Sequence, residues 1–269
     1  VLSSDYAKDK SHIYHCADSI THLVDYDSFK IVGYMIICDK DKVLVHDRYL
    51  YTPLFDSEVE DYVANEEDFI EIKDANPQSF VELDDELFGY RWAKDDQAYF
   101  YYGKKVGLDY ESVTPLNDTF IKDKNNVFYI YGDELEKIDV NPSTCHRLNS
   151  EYITDEKNIY YADYCHKLKK SIYRSIPYQD FSTVQIISDK YLAVDDKVYF
   201  ENELIIGINR SKLSFLKDEY YCLDGERIYY GGELIEGADC DTFSIIKETN
   251  YSKDKNHVYF NEKLIQKSD

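Results

Sequence analysis

Three Cys–His juxtapositions are the first places where this chain could do chemistry: Cys145-His146, Cys165-His166 and His12-x-x-His15-Cys16. Thiolate and imidazole together can hold zinc or form an activated nucleophile. Each lies in a strand-like run, where adjacent side chains point to opposite faces and two histidines three apart do the same. No C-x-x-C spacing and no third, orienting group accompanies them. Calcium would need clustered carboxylates, yet the acidic turns interleave Lys, Asn or Arg, as in Asp123-Lys-Asn-Asn, and no calcium loop with a distal Glu occurs. Phosphate-loop, dinucleotide and nucleophile-elbow motifs are missing as well. Two carboxylates for glycoside hydrolysis could be drawn from any protein this acidic, so that signal is unspecific. The expectation is a protein with no enzymatic activity, no cofactor and no metal.

Charge is the second chemical feature. The 269 residues carry 53 Asp and Glu against 31 Lys and Arg, a net charge of −22. Residues 55–86 hold 13 of those acids against one base, Lys73, for a net of −12. Such a surface repels nucleic acid and anionic membrane. It favours a basic protein such as a toxin domain, whose approach it would accelerate at low salt. The expected partner-facing carboxylates are Asp56, Glu58, Glu60, Asp61, Glu66, Glu67 and Asp68, with Tyr62 and Phe69 as aromatic anchors. The plainer reading is a solvated acidic loop that keeps the protein soluble.

The elements that must position these groups are set by an internal repeat. An aspartate, three polar residues, a β-branched residue and aromatics recur as Asp9-Lys-Ser-His-Ile13-Tyr14, Asp123-Lys-Asn-Asn-Val127-Phe128-Tyr129 and Asp155-Glu-Lys-Asn-Ile159-Tyr160-Tyr161. They return as Asp224-Gly-Glu-Arg-Ile228-Tyr229-Tyr230 and Asp254-Lys-Asn-His-Val258-Tyr259-Phe260. Asp39 leads a weaker copy, and Asp95 and Asp195 lead copies that read one residue short. The spacing of the eight aspartates gives a period near 30, with one step of 56 between Asp39 and Asp95. That long step leaves room for a degenerate copy or an insertion over 50–87, the acidic stretch.

Each unit parses as an antiparallel meander. A large apolar residue stands three before the aspartate (Tyr6, Ile36, Phe120, Tyr152, Tyr221, Tyr251). The aspartate can accept backbone N–H bonds two residues on and so make the first turn. The β-branched and aromatic run suits a half-buried pleated surface. Gly132-Asp133, Gly231-Gly232, Gly103-Lys104, Glu201-Asn202 and Asn261-Glu262 mark a second turn. Apolar return strands follow, as at Leu135–Ile138 and Leu204–Ile206. Between units, a small hydroxyl residue precedes a hydrophobe, as at Ser28-Phe29, Ser79-Phe80, Ser214-Phe215 and Thr242-Phe243, with Val113 and Cys145 in the same slot; these should plug the seams. Side chains repeated in every unit usually serve what every unit shares, so the aspartates, tyrosines and seam residues read as architectural.

The 28 tyrosines suit sheets that are only partly shielded from water, having an apolar body and a polar tip. No run approaches the roughly 18 apolar residues of a membrane helix. The six cysteines fall at different places in the repeat, which argues against a disulfide framework and points to free thiols in the cytoplasm. A periplasmic or envelope location is the alternative if a signal peptide has been removed.

The repeat resembles that of the bacterial DKNYY family, most clearly over residues 88–265 and less so over 1–50; residues 50–87 depart from it. The resemblance brings no catalytic residues. It implies, for some members, an immunity role beside secreted toxins. The expected fold is all-β, a single domain over 1–269 built as an array of eight or nine antiparallel meanders of about 30 residues. A closed β-propeller is the alternative if the seam phrase adds a fourth strand. The expected function is a non-enzymatic protein-binding protein, a bacterial immunity protein that occludes a basic toxin. A structural or cell-surface repeat protein and, further off, a carboxylate-dependent hydrolase are the alternatives.

Overall fold

The structure is a computed structural model. It describes residues 1–16, 18–47, 69–83, 88, 91–165, 170–188, 190–201, 203–216, 220–247 and 249–265, with the side chains of 163–165, 170 and 171 excepted. Two compact units emerge, Val1–Ser143 and Thr144–Asp269. The first holds sheet 1 (Tyr6–Lys8, Ile13–His15, Asp18–Ser19) and sheet 2 (Lys30–Gly33, Ile36–Cys38, Val43–His46, Phe69–Glu71). It continues with sheet 3 (Val81–Leu83, Trp92–Lys94, Tyr99–Tyr101, Lys104–Val106) and sheet 4 (Thr114–Asn117, Phe120–Lys122, Val127–Tyr131, Glu134–Ile138). The second holds sheet 5 (His146–Arg147, Tyr152–Thr154, Asn158–Cys165, Lys170–Pro177) and sheet 6 (Gln185–Ile186, Tyr191–Val194, Lys197–Phe200, Glu203–Leu204). Sheet 7 (Ser214–Phe215, Tyr221–Leu223, Ile228–Tyr230, Glu233–Leu234) and sheet 8 (Ser244–Ile245, Tyr251–Lys253, Val258–Phe260, Lys263–Leu264) complete it.

Every described sheet is an antiparallel meander in chain order, so the all-β repeat is what the structure displays, with eight units. The seam phrase does more than fill a gap. It leads directly into the first strand of sheets 2 to 5 and 8, as Phe243 precedes Ser244, and in sheet 7 Ser214 and Phe215 are that strand, pairing with Leu223 and Cys222. Turn chemistry follows the sequence: Gly132, Gly231, Gly232, Glu201 and Asn261 all take positive φ, between 53° and 84°. Gly232 suits its turn on two counts: its φ is 84°, and a Cβ there would lie 3.0 Å from that of Phe200.

Within a unit, the two faces of an inner sheet have different neighbours. In sheet 7, Tyr221, Leu223, Ile228 and Tyr230 share one face and meet Phe243, Ile245 and Tyr259 of sheet 8. Cys222 and Tyr229 point the other way, onto Tyr191, Ala193 and Val198 of sheet 6. The same rule places Leu192 and Tyr199 of sheet 6 on Tyr152, Ile159 and Tyr161 of sheet 5. In the first unit Tyr6 and Ile13 meet Ile37 and Leu44, Ile36 and Val43 meet Ala93 and Phe100, and Trp92 and Tyr101 meet Ile121. Sheets therefore stack face to face, each core shared by two neighbours. A sheet with both faces covered loses its alternation: Ile36–Cys38 and Val43–Val45 are buried throughout. Burying each such side chain stabilises the stack by about 2 kcal/mol.

Tyrosine hydroxyls stitch the layers together. Tyr152 of sheet 5 donates to the Glu201 carbonyl at 2.7 Å, Tyr191 of sheet 6 to Tyr220 at 3.1 Å, and Tyr101 of sheet 3 to Gly132 at 3.0 Å. Rings fill the core while their tips satisfy turn carbonyls of the next sheet, which accounts for the tyrosine excess.

Two details differ from the sequence reading. The Asp95 copy is not short: Lys94 pairs with Tyr99 as Lys122 pairs with Val127, so Ala98 is the fourth turn residue. In sheet 6 the turn is also full length, but Val194 occupies the aspartate's slot and pairs with Lys197. Asp195 is displaced by one residue and binds the Thr183 hydroxyl at 2.9 Å instead. The long step between Asp39 and Asp95 is also explained. His46 pairs directly with Phe69, so residues 47–68 are spliced into the last hairpin of sheet 2.

Candidate interaction surface

The repeated aspartates are the most numerous candidates for chemistry, and the fold uses both oxygens of their carboxylates. One oxygen of Asp123 accepts the N–H groups of Asn125 and Asn126, each at 2.8 Å; the other accepts that of Asp109 at 2.9 Å. Asp39, Asp224 and Asp254 make the same paired bonds, reaching back to Asp25, Asn209 and Asp239. A tyrosine hydroxyl joins in at Asp9, Asp155 and Asp254, from Tyr14, Tyr160 and Tyr259. Burial by itself would raise the Asp39 and Asp224 carboxyls, but the backbone N–H bonds outweigh it and hold both below the usual carboxylate range. Backbone bonds from Ser11 and His12 lower Asp9 to about 2.

Of the Cys–His pairs, His15 and Cys16 meet, with Nε2 4.0 Å from Sγ at an exposed position, whereas Cys145 and His146 do not. Cys145 is buried while His146 is exposed and faces the Thr144 carbonyl at 3.0 Å. His166 lies outside the described residues. Among the described residues no group of three or more His, Cys, Asp or Glu side chains could hold a metal ion. One histidine contact escaped sequence reasoning. The rings of His15 and His46 lie 5.0 Å apart, both within 5.3 Å of the Phe69 ring, and His46 Nδ1 is 3.0 Å from Asp47 Oδ1. The pairing of His46 with Phe69 across the insertion creates this cluster, and nothing in the local sequence announces it.

Of the expected partner-facing residues, Asp56, Glu58, Glu60, Asp61, Tyr62, Glu66, Glu67 and Asp68 lie outside the described residues. Phe69 is placed, and it corrects the expectation. It is only 7% exposed, packed with Tyr6, Ile13 and Leu44 between sheets 1 and 2, so it belongs to the core and is not an open anchor. The physical reason is register: opposite His46, its side chain shares the face that carries Leu44. The next residue, Ile70, points outward at 43% exposure, and Glu71 pairs with Lys73 at 3.2 Å. A cleft of about 640 Å³ opens beside this strand, lined by Ile20, Leu23, Lys42, Phe69, Glu71 and Lys73.

A larger cleft, about 960 Å³, lies between sheets 6 and 7 and is rimmed by Arg210, Arg227 and Asp196. Its cations are already engaged. Arg210 donates to the carbonyls of Asp195 and Thr183, and Arg227 to Gly207 O and the Asp224 carboxylate. No helix among the described residues is long and apolar enough to cross a membrane.

Stacked meanders of three or four strands, all but sheet 6 pinned by a turn carboxylate, define a β-repeat protein. The chain belongs to the DKNYY family, whose model matches residues 2–164 and 221–269. The unmatched stretch contains sheet 6, where Val194 has replaced the aspartate of the turn. No curated protein and no solved structure matches the chain.

Proposed function

We propose that this protein is a non-enzymatic protein-binding module, an immunity protein that neutralises a basic toxin by covering it. The reading is carried by a division of labour among its acids. Carboxylates at repeat positions are occupied by backbone N–H groups and tyrosine hydroxyls. The acids of residues 56–68 belong to no repeat position; they sit in an insertion grafted onto one hairpin. A stretch outside the repeat and dense in one sign of charge is suited to steering a cationic partner and shielding its active face. Asp56, Glu58, Glu60, Asp61, Glu66, Glu67 and Asp68 would make that contact, with Tyr62 beside them.

Purification of the tagged protein from its source strain at low salt is expected to bring down a basic partner in stoichiometric amount. Replacing Glu58, Glu60, Glu66 and Glu67 together with lysine should slow association with that partner by roughly tenfold or more and flatten its salt dependence. Unchanged affinity and salt slope in that variant would refute the acidic contact.

A structural or cell-surface repeat role is the second reading, favoured by meanders that pack sheet on sheet within each unit.

A further inference from the structure

The cleft between sheets 6 and 7 is lined by residues that depart from the repeat. At sheets 2, 4 and 8 the segment leading in carries Asp25, Asp109 or Asp239, and the lysine after the turn aspartate pairs with it. Those ion pairs are Lys40 at 2.8 Å, Lys124 at 2.8 Å and Lys255 at 2.7 Å. At sheet 7 both partners are replaced: Asn209 stands in the carboxylate's place and Gly225 in the lysine's. The seam thereby lacks one fixed negative charge, in a chain whose net charge is −22.

The next residue shifts the charge further in the same direction. Arg210 follows Asn209 where Tyr26 and Tyr110 follow Asp25 and Asp109. Those tyrosines donate their hydroxyls to the carbonyls of Asp9 and Asp95, turn residues of the preceding sheet. Arg210 donates to the Asp195 carbonyl and, at 2.8 Å, to that of Thr183. It performs the tyrosine's structural task and adds a positive charge that task does not need.

Arg227, in the turn of sheet 7, brings a second guanidinium to the same cleft. Both of its bonds, to the Gly207 carbonyl and the Asp224 carboxylate, leave from Nη2. Nη1 and Nε therefore keep their N–H groups for another acceptor. Gly207 leaves Nη1 uncovered, since a Cβ there would stand 3.2 Å from it. Asp224 is already held by backbone N–H groups of Asn209, Glu226 and Arg227. One further carboxylate, Asp196, lines the cleft, and Ile208, Leu213 and Phe215 give it a half-buried apolar wall.

We propose that this cleft binds a small molecule in which a carboxylate or phosphate is joined to an apolar body. The oxyanion would accept charge-assisted hydrogen bonds from Arg227 Nη1, with Arg210 as the second positive charge. The apolar body would lie on Ile208, Leu213 and Phe215. At about 960 Å³ the cleft has the size of a small-molecule site, and an apolar wall with a few placed polar groups is the usual make-up of one. The proposal goes beyond toxin binding and does not depend on the acidic insertion.

Calorimetric titration of the full chain with phenyl phosphate and with 3-phenylpropionate tests this directly. Each should fill one saturable site, and a preference between them supports the proposal and identifies the oxyanion. Benzyl alcohol keeps the ring without the charge, and inorganic phosphate the charge without the ring; both should bind at least roughly tenfold more weakly than phenyl phosphate. Arg227→Gln should lower affinity for the aromatic anions roughly tenfold. Asn209→Asp restores the carboxylate of the other repeats with no lysine to neutralise it, and should weaken binding by a similar factor. No saturable binding of either aromatic anion at about 10 mM overturns the proposal. So does inorganic phosphate binding as tightly as phenyl phosphate, or unchanged affinity in Arg227→Gln. If Arg227→Gln fails to fold without its bond to Asp224, Asn209→Asp decides, and unchanged affinity there refutes the site.

Discussion

The carboxylate of Asp123 accepts the backbone N–H of Asp109 at 2.9 Å, tying the turn inside sheet 4 to the segment that leads into it. Asp39 and Asp25, Asp95 and Asn76, Asp224 and Asn209, and Asp254 and Asp239 repeat the bond at 2.8, 2.9, 3.2 and 2.9 Å. A buried segment start would otherwise leave a donor unpaired. The aspartate is thus retained for two jobs at once, a turn cap and a clamp on its own repeat's entry strand.

Asp123→Ala leaves three backbone N–H donors without their acceptor at a site 3% exposed, and is expected to cost about 2–4 kcal/mol of stability. Asp196→Ala, at an exposed turn position, should change stability by less than about 0.5 kcal/mol. Urea denaturation of both variants checks the contrast; equal losses would remove the clamp's special role.

Acid should unfold the protein through the same carboxylates. Backbone N–H bonds from Ser11 and His12 hold Asp9 at about 2, and the Lys40 ammonium with Ser28 does the same for Asp25, against an ordinary 3.8. At Asp254 burial alone would raise the carboxyl, but N–H bonds from Asp239 and Asn256 and the Tyr259 hydroxyl turn the balance downward. These groups bind a proton more weakly folded than unfolded. Their contribution is therefore complete above about pH 4 and disappears as pH falls through about 2. The urea midpoint, followed from pH 5 down to about pH 2, should fall over that window and stay level above it.

Thiol reactivity should divide the cysteines. Cys16 is exposed, whereas Cys38, Cys145 and Cys222 are buried, and burial pushes the Cys222 thiol up to about 11. Alkylation of the native protein followed by mass spectrometry should modify Cys16 first and leave those three intact until denaturant is added. Labelling of Cys222 at the rate of Cys16 would contradict the packing between sheets 6 and 7.

Much of the architecture could be read from residue order because its determinants are local. Asp-x-x-x turns, glycines at positive φ and β-branched runs act within a few residues, so meanders, turns and seam residues such as Phe243 were legible without coordinates. Composition likewise fixed the acidic character of 55–86. Which side of a strand finds a neighbour is not local. Phe69 looked like an exposed anchor at the end of an acidic run, and only its pairing with His46 turned it into the core between sheets 1 and 2. Tyr251 carries the same residue at the same repeat position as Tyr221, yet one stands open and the other is covered. Identical sequence cues give opposite burial there, because burial depends on what is stacked above, and that is decided by tertiary structure alone.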